Sequence, residues 1–323
     1  MTDTQTPVSA FAALRAELST RIIGQAALVD RLLIALLADG HLLVEGAPGL
    51  AKTTAIKELA ARIEANFHRV QFTPDLLPAD LTGTEIYRPQ TGAFEFQHGP
   101  IFHNLVLADE INRAPAKVQS ALLEAMAERQ VSVGRSTYEL SPLFLVMATQ
   151  NPIEQEGTYP LPEAQLDRFL MHVKIGFPDA AVERRILQQA RGEALNGETN
   201  PERRVSQQAI FAARKEILGL YMADAVEEYL VQLVMATRTP GKFDPEMAEW
   251  IAYGASPRGS IALDRCARAH AWLAGRDFVS PEDIQAVLFD VQRHRIILSF
   301  EAEAAGIDQD RVVQRILDVV AVA

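Results

Sequence analysis

The residues best suited to chemistry form a glycine-containing loop that could hold phosphate groups. The loop covers residues 46–53, between an apolar run at 41–45 and a helical pattern at 53–63. The phosphate-loop pattern requires Gly, four residues, Gly, Lys and then Ser or Thr, between a strand and a helix. Ala51 stands in place of the second glycine, and the other positions match. We therefore predict that this loop binds the phosphates of a nucleotide.

Each part of the loop has a chemical role in this interpretation. Gly46 and Gly49 let backbone N–H groups turn inward on an anion, and the next helix adds its positive dipole end. Lys52 can reach the β- and γ-phosphates, and the Thr53 hydroxyl can ligate Mg²⁺. A chance Gly-rich turn is the alternative, which the strand–loop–helix context disfavours. The residues expected to contact the nucleotide here are Gly46, Ala47, Pro48, Gly49, Leu50, Ala51, Lys52, Thr53 and Thr54.

Two acids follow a second apolar run, at residues 105–108. In open α/β sheets ligands bind outside the carboxyl ends of the strands, so Asp109 and Glu110 would meet the phosphate loop there. Asp109 would hold Mg²⁺, directly or through water. Glu110 would orient and deprotonate an attacking water. The alternative is a pair of solvated acids at a strand end.

An amide and two arginines complete the candidate set. Asn151 ends a strand that should lie beside the strand ending in Asp109, where its side chain can position water or contact the γ-phosphate; an Asn-Pro turn is compatible with this role. Arg168 precedes the last strand, beyond the cleft, where it could reach a neighbouring subunit's nucleotide. Its alternative role is a surface salt bridge with Asp167 or Glu163. Each of these assignments needs the geometry of the fold.

Arg258 presents a local electrostatic conflict. Ser256 caps a helix, Pro257 takes its first position, and Arg258 falls in the first turn. A cation at the positive end of a helix dipole is unfavourable unless an anion is nearby. We therefore expect the second half of the chain to close over nucleotide phosphates at this point.

Alternating strands and helices must position these groups. Short, apolar and β-branched-rich segments are typical of parallel strands that are covered on both faces. With helices between them, they predict an α/β fold with a doubly wound parallel sheet. Residues 8–38 precede this unit and predict two amphipathic helices, broken at 22–25. The predicted strands cover residues 41–45, 68–72, 104–108, 143–149 and 169–175.

The character of the chain changes after residue 178. Asp179 can cap a helix, and the helical spacing that follows predicts a C-terminal all-helical domain at 179–323, after a nucleotide-binding domain at 1–178. The polar composition of residues 192–204 predicts a loop. The predicted helices cover residues 180–191, 205–219, 222–238, 244–253, 258–275, 281–295 and 308–321.

Two irregular insertions interrupt the first domain. Residues 73–100 form a loop long enough to be functional or to have structure of its own. Residues 130–141 alternate about a Gly-Arg-Ser turn and predict a hairpin. Their aromatic side chains either serve function or pack locally. These aromatic residues are Phe94, Phe96 and Tyr138.

Composition narrows the class of protein. The chain has 323 residues and a net charge of −11, which disfavours a general nucleic-acid binder because such proteins are basic. Its one cysteine, Cys266, permits no intramolecular disulfide, which fits a reducing, cytoplasmic setting. Residues 1–10 lack the features of a signal peptide. The apolar run at 32–38 is too short to span a bilayer, so no membrane partner is expected.

Taken together, these motifs resemble the MoxR-type AAA+ ATPases. The resemblance covers almost everything from residue 18 to the C-terminus, and the combination is far more specific than any single segment. That family carries Ala at the position of Ala51, so the phosphate loop is no departure from it. The matching segments are residues 46–53, 105–110, 112–115, 119–126, 148–152, 163–169 and 254–258.

The resemblance implies residue roles, cofactors and partners. It implies ATP with Mg²⁺, the AAA+ P-loop NTPase fold with a helical lid, and a homo-oligomeric ring, often a hexamer. Asn151 would be sensor 1, Arg168 the arginine finger and Arg258 sensor 2, acting in cis or in trans. MoxR-type proteins resemble chaperones that remodel or mature protein clients, often with von Willebrand factor A domain partners. The residues implied to line the adenine are Ile23, Gly24 and Gln25.

Other functions share the same ATPase core. A chelatase-type motor subunit for metal insertion would carry the same motifs. A nucleic-acid motor would need positive charge on the hairpin at 130–141, which has one basic residue, Arg135, and one acid, Glu139. A scaffold with negligible turnover is disfavoured by the intact acid at Glu110.

Overall fold

The computed structural model describes residues 6–151, 158–196 and 204–322. Five of its strands form one parallel sheet, and short two-stranded pairings account for the others. The strands are β1 (Leu42–Glu45), β2 (Phe67–Gln71), β3 (Gly83–Arg88), β4 (Ala93–His98), β5 (Leu105–Asp109), β6 (Gln130–Val133), β7 (Ser136–Glu139), β8 (Leu145–Gln150), β9 (Met171–Lys174), β10 (Tyr221–Met222), β11 (Ile251–Tyr253), β12 (Phe278–Val279) and β13 (Ile297–Leu298).

Helices cover the parallel sheet and form the C-terminal region. The helices are α1 (Pro7–Arg21), α2 (Ala26–Leu37), α3 (Lys52–Arg62), α4 (Pro78–Thr82), α5 (Ala116–Glu128), α6 (Glu163–Leu166), α7 (Ala180–Asn196), α8 (Gln207–Leu218), α9 (Asp224–Arg238), α10 (Pro245–Trp250), α11 (Pro257–Leu273), α12 (Pro281–Gln292), α13 (Phe300–Ala304) and α14 (Gln309–Val319).

The parallel sheet confirms the predicted α/β class. Its strand order is β2-β5-β8-β1-β9, so β1, the first of these strands in the chain, lies between β8 and β9, the last two. All five predicted strands are present, with ends that differ by one or two residues. The strand β8 lies between β5 and β1, paired in parallel with both. This order places the phosphate loop, the two acids and Asn151 side by side at the carboxyl ends of β1, β5 and β8.

The N-terminal segment has the two predicted helices, and the second half of α2 is buried on all sides. Its buried residues point to nearly all sides because α2 packs against α1, α3, α8 and α11 and against the strands β1 and β9. A helix that is apolar all round is a buried helix. The buried residues of α2 are Leu28, Val29, Leu32, Leu33, Ile34, Ala35, Leu36 and Leu37.

The C-terminal region is helical, with small differences from the expectation. Two short pairings were not predicted: β10 lies parallel to β12, and β11 lies antiparallel to β13. Pieces of two or three residues give too short an alternation to be read from sequence. The helix α7 continues to Asn196, so the predicted loop at 192–204 begins later than expected. Residues 197–203 of that loop lie outside the described residues.

Buried arginines join the C-terminal region to the sheet. Arg293, His294 and Arg295 follow α12 and are each less than 10% exposed. Arg293 Nη1 donates to the His172 carbonyl at 2.7 Å, and Arg295 Nη2 donates to the Phe169 carbonyl at 2.6 Å. These buried donors are satisfied by the backbone of β9 and the residues before it, which is how a buried charge is tolerated. The contacts fix where the helical region meets the last strand.

Both insertions have structure of their own. Residues 73–100 contain the hairpin β3–β4, and residues 130–141 contain the hairpin β6–β7. The rings of Phe96 and Tyr138 stack at 3.9 Å between centroids, so these two aromatics pack locally and join the hairpins. Phe94 differs: it is 68% exposed and contacts Tyr87, which is 52% exposed. The outer end of the first hairpin therefore presents an exposed aromatic pair.

Cys266 is fully buried in α11. Desolvation by burial raises the pKa of its thiol to about 12. A neutral buried thiol packs as a small hydrophobic group and does not act as a nucleophile. Across the described residues, no helix is both long and apolar enough to span a membrane.

Candidate active site

The carboxyl ends of three neighbouring strands form the candidate active site. The phosphate loop follows β1, Asp109 ends β5, and Asn151 follows β8. The β1–β8 and β8–β5 pairings place these ends side by side. Open parallel sheets bind ligands outside the carboxyl ends of their strands. The fold thus brings together residues separated by about a hundred positions in sequence, as expected from the motifs.

Backbone conformation explains the residue types of the phosphate loop. A Cβ on Gly46 would lie 2.4 Å from Ile175 Cγ1 and 2.9 Å from the Ile175 carbonyl oxygen, so the backbone approach requires glycine. Gly49 has φ +84°, a left-handed conformation that glycine adopts at low cost. Ala51 also has a positive φ, +58°, immediately before α3. The glycine of the strict pattern is therefore replaced where the backbone still favours glycine.

We predict that Ala51→Gly stabilises the fold by roughly 1 kcal/mol. A left-handed conformation costs a Cβ-bearing residue about 1–2 kcal/mol, and the greater entropy of the unfolded glycine chain offsets part of the gain. The control is Ala61→Gly, in the last turn of α3, where the backbone is helical, which should lose up to roughly 1 kcal/mol. Urea unfolding of both variants measures the difference. A loss of stability at position 51 equal to that at 61 would contradict the argument.

Lys52 is held at the mouth of the loop. Its side chain is 8% exposed, and its Nζ donates to the Gly46 carbonyl at 2.6 Å and to Asn151 Oδ1 at 3.3 Å. Burial lowers the pKa of Lys52, while the charges of Asp109 and Glu110 act in the opposite direction. An incoming phosphate would supply the counter-charge that the carbonyl and amide supply only in part. The lysine is thus poised to receive an anion.

Asp109 has a different partner on each carboxylate oxygen. Thr149 Oγ1 donates to Asp109 Oδ1 at 2.6 Å. Arg69 donates to Asp109 Oδ2 from Nε at 3.0 Å and from Nη2 at 2.6 Å. The aspartate side chain is 12% exposed. Its Oδ2 oxygen therefore already faces a cation, in the position where a metal ion would be expected to bind.

Glu110 is held in a strained and highly restrained conformation. Its φ of +57° is left-handed, and its N–H donates to Thr149 Oγ1 at 2.9 Å. Gln71 Nε2 donates to Oε2 at 2.8 Å, and Asn151 Nδ2 donates to Oε1 at 3.1 Å. Arg113 Nε lies 3.2 Å from Oε2. Backbone strain of this kind persists only where surrounding contacts enforce it, and it concentrates at functional sites.

A cavity of about 440 Å³ collects most of the predicted residues. Arg69 and Gln71 of β2 line it as well, and sequence reasoning missed both. The available signal was the polar alternation of β2, where Arg69 and Gln71 flank buried Val70 at the carboxyl end of a strand. The residues that line the cavity are Pro48, Gly49, Ala51, Lys52, Thr53, Thr54, Arg69, Gln71, Asp109, Glu110 and Asn151.

Several other predicted residues lie outside this lining. Leu50 is 7% exposed and packs in the hydrophobic core. Gly46 and Ala47 stand at the base of the loop. Gln25 donates from Nε2 to the Gly176 carbonyl at 3.2 Å, and a Cβ on Gly24 would lie 2.3 Å from Val182 Cγ1. The segment 23–25 therefore contacts the chain that leads from β9 into α7, and it is not among the residues that line the phosphate cavity.

Arg168 and Arg258 line a different cavity, of about 340 Å³. This cavity also includes His41, which precedes β1, so it lies toward the amino end of the strand whose carboxyl end carries the phosphate loop. Arg168 Nη1 donates to the Leu123 carbonyl at 3.1 Å. Arg258 is 56% exposed, and its Nη1 lies 3.7 Å from Asp167 Oδ2. The two arginines therefore share one cavity, and Lys52 lines the other.

Comparison with known proteins supports the fold and the family. The model of the ATPase family associated with various cellular activities (AAA) matches residues 41–171, and the AAA lid domain model matches residues 246–316. The chain is 45% identical over 308 residues to Chaperone MoxR1 of Mycobacterium tuberculosis (strain ATCC 25618 / H37Rv). The aligned region covers 94% of this chain and 80% of that protein. The chain belongs to the MoxR family of AAA+ ATPases. It is therefore an ATPase that binds nucleotide.

Two further comparisons agree with this MoxR-family assignment. The uncharacterized protein YeaC of Bacillus subtilis (strain 168) is 45% identical over 294 residues, covering 90% of this chain and 88% of that protein. The crystal structure of a protein from Cytophaga hutchinsonii ATCC 33406, assigned as an ATPase, superposes with a TM-score of 0.91 at 45% identity. It covers 98% of this chain and 96% of that chain. The match extends over the sheet and the helical region.

The chemistry of the cavity in this MoxR-family ATPase fits a nucleotide with a divalent cation. The carboxylate of Asp109 and the hydroxyl of Thr53 are oxygen ligands of the kind that Mg²⁺ prefers. The loop amides at the start of α3 and the ammonium of Lys52 suit phosphate oxygens. Protein sites for Mg²⁺ use one or two such side chains together with substrate phosphates. The donor set of this chain is of that type.

Proposed function

We propose that this protein is a Mg²⁺-dependent ATPase that forms a hexameric ring and uses hydrolysis to remodel protein clients. The observation that carries the proposal is the separation of two groups of charged side chains. Lys52, Asp109 and Glu110 line one cavity, while Arg168 and Arg258 line another. A complete hydrolytic site needs both groups. A neighbouring copy of the chain would bring them together.

Strand geometry makes an intramolecular site difficult to complete. Residues His41 and Gly46 bracket β1 and belong to opposite ends of it, about 16 Å apart at the usual rise of an extended strand. His41 lines the arginine cavity, and Gly46 begins the phosphate loop. Arg168 is placed before β9, on the same side as His41. In a head-to-tail ring, this face of one subunit would meet the phosphate cavity of the next.

Within one subunit, the side chains support hydrolysis of the terminal phosphate. Lys52 binds the β- and γ-phosphates, and Glu110 takes a proton from the attacking water. Asn151 contacts both Lys52 and Glu110, so it can position the water relative to the phosphate. Asp109 and Thr53 would hold Mg²⁺, which neutralises charge that develops on the phosphate oxygens. Arg168 and Arg258 of the neighbour would stabilise the same charge from the other side.

A direct contact can transmit the nucleotide state to the helical region. Asp167 Oδ2 accepts from Ser256 Oγ at 2.8 Å, and Asp167 Oδ1 accepts from Arg295 Nε at 2.9 Å. Ser256 caps α11, whose first turn carries Arg258. A neighbour's phosphate that binds Arg168 and Arg258 would therefore act on the joint between sheet and helical region. Loss of that phosphate would change the angle of the joint.

Client contact is assigned to the exposed end of the first hairpin. Tyr87 and Phe94 are exposed aromatics on β3 and β4, a residue type enriched in protein interfaces. The stacking of Phe96 on Tyr138 links this hairpin to the second one, so both would move together, facing the ring axis. The similar Mycobacterium tuberculosis protein is named a chaperone. A von Willebrand factor A domain protein as partner and a cytoplasmic location belong to the same proposal.

The concentration dependence of ATP hydrolysis tests the proposal. We expect specific activity to rise with protein concentration as subunits assemble, because each site is completed by a neighbour. Sedimentation velocity with a non-hydrolysable ATP analogue would report a hexamer over the same concentration range. Specific activity that stays constant from dilute monomer upward would show that one chain hydrolyses ATP alone, and the ring proposal would be wrong.

A further inference from the structure

Two imidazoles lie side by side at the outer edge of the parallel sheet. His68 is exposed on β2, the edge strand. His103 is partly buried and follows the single 3₁₀ turn at Pro100–Phe102, where the chain returns from the first insertion. The two ring centroids are 4.9 Å apart, and the ring planes are tilted by 38°. Neither histidine lines the phosphate cavity or the arginine cavity.

The separation of the two rings fits a shared metal ion. Imidazole nitrogens bind Zn²⁺ at about 2.0–2.1 Å. Two imidazoles on one ion, at a square-planar or a tetrahedral angle, would therefore have centroids roughly 4.6–5.3 Å apart. The observed separation of 4.9 Å lies within that interval. The side chains of His68 and His103 can thus chelate one ion with little rearrangement.

The hydrogen bond of His103 selects the tautomer that a metal ligand needs. Its Nδ1 lies 2.8 Å from the Pro100 carbonyl oxygen. A carbonyl oxygen only accepts, so Nδ1 carries the proton and the neutral ring has its lone pair on Nε2. Histidines that bind metals usually donate their other nitrogen to a carbonyl or a carboxylate in this way. His103 therefore already has the second contact of a metal ligand.

The backbone that carries both histidines is held by a pair of asparagines. The Asn66 N–H donates to Asn104 Oδ1 at 3.0 Å, and the Asn104 N–H donates to Asn66 Oδ1 at 2.6 Å. Asn104 Nδ2 also donates to the Leu143 carbonyl at 2.9 Å. Asn66 stands two positions before His68, and Asn104 directly follows His103. Binding sites need such rigid support to keep their ligands in place.

The protonation of His68 also suits metal binding. Partial burial and, secondarily, the charge of His103 lower the pKa of His68. Only the neutral imidazole has a lone pair for a metal ion. A lower pKa therefore means less competition from protons at neutral pH.

Another histidine pair of the chain has its nitrogens engaged. The rings of His172 and His294 are 5.9 Å apart, and both residues are less than 10% exposed. His172 Nε2 lies 2.8 Å from Glu45 Oε2, and His294 Nε2 lies 3.2 Å from the Phe169 carbonyl oxygen. That pair joins the helical region to the sheet, whereas His68 and His103 can be reached from solvent.

We propose that His68 and His103 bind one divalent transition-metal ion of the Zn²⁺, Ni²⁺ and Cu²⁺ class. Imidazole nitrogen suits these ions, whereas Mg²⁺ prefers oxygen ligands. Across the described residues, no group of three or more His, Cys, Asp or Glu side chains could hold a metal ion, so water completes the coordination. The ion would join the edge strand β2 to the end of the first insertion. This site is separate from the Mg²⁺ position proposed at Asp109.

Calorimetric titration of the untagged 323-residue chain with Ni²⁺, in excess Mg²⁺, tests the site. We expect His68→Asn to weaken Ni²⁺ binding by about tenfold or more, since loss of even an outer-shell partner costs a metal site about 10–100-fold. The control is His98→Asn, which removes an exposed imidazole that packs on the rings of Phe96 and Phe102. It should bind Ni²⁺ as the wild type does.

Further variants separate this site from other positions for the ion. His103→Asn should weaken Ni²⁺ binding as His68→Asn does, and Asp109→Asn should leave it unchanged. Equal affinity of the wild type and His68→Asn, including no binding by either, would overturn the proposal. Loss of binding in Asp109→Asn alone would place the ion in the phosphate cavity and would overturn it as well. Melting temperatures without metal check that each variant is folded.

The electron paramagnetic resonance spectrum of bound Cu²⁺ identifies the ligands directly. We expect nitrogen couplings from two imidazoles in the wild type and from one in His68→Asn, a change that a purely structural role of His68 would not produce. A wild-type spectrum with oxygen ligands alone would show that the ion binds elsewhere, and the proposal would be wrong.

Discussion

We expect Glu110→Gln to bind ATP with wild-type affinity and to hydrolyse it about 10²–10⁴-fold more slowly. Glutamine has the same shape as glutamate and can keep contacts with Gln71 and Asn151, whose amide groups can donate or accept. It has no basic oxygen that could take a proton from water. The phosphate loop and Lys52 are unchanged, so binding and hydrolysis should separate. Fluorescent-nucleotide titration and steady-state phosphate release measure the two quantities.

A matched control distinguishes a lost base from a lost charge. Glu124→Gln removes one negative charge from the exposed face of α5 and should hydrolyse ATP at the wild-type rate. The Glu110→Gln rate should also stay low at alkaline pH, since the amide does not ionise. Activity within a factor of two of the wild type would show that another group is the base, and the role proposed for Glu110 would be wrong.

The phosphate loop and the two acids could be predicted because their chemistry is local in sequence. A short strand, a glycine-containing turn and a helix start are consecutive, so the loop that includes Lys52 needs no distant contact to be recognised. Asp109 and Glu110 are likewise a consecutive pair after an apolar run. The adjacency of β5 and β8 followed from the rules of parallel sheets, and the structure confirms it.

Features that depend on tertiary contacts were not predictable in this way. Arg69 and Gln71 alternate with apolar residues on an edge strand, a pattern that usually marks a solvent-facing surface. Only the pairing of β2 with β5 turns that polar face toward Asp109. The burial of α2 could not be predicted for the same reason, because α8 and α11, which pack against it, are far away in sequence.

The positions of the Arg168 and Arg258 side chains indicate how these two arginines act, which their motifs do not. The sequence left open whether Arg258 acts in cis or in trans. In the structure Arg258 shares a cavity with Arg168 and approaches Asp167, next to the predicted finger. We propose on this basis that both arginines act together on the neighbouring subunit's nucleotide. Mixtures of inactive variants can test that proposal, because an active site completed in trans can be restored by a second subunit.

We expect Arg168→Ala to lose roughly 10³–10⁵ in ATP hydrolysis rate and to regain activity when mixed with Glu110→Gln. Arg168→Ala subunits keep Glu110, and Glu110→Gln subunits keep Arg168. In a head-to-tail ring assembled from equal amounts, about one interface in four pairs an intact base with an intact finger. The mixture should therefore reach about a quarter of the wild-type rate. No recovery would mean that Arg168 serves its own subunit or is not catalytic.

A second mixture decides the direction in which Arg258 acts. If both arginines act in trans, an Arg168→Ala subunit and an Arg258→Ala subunit each present their neighbour with an incomplete pair, so the mixture stays inactive. If Arg258 acts in cis, an Arg168→Ala subunit retains its own Arg258 and receives Arg168 from its neighbour, so activity returns. The shared cavity and the contact with Asp167 favour the inactive mixture. Arg88→Ala mixed with wild type, a remote arginine change, should keep full activity and so exclude an effect of mixing itself.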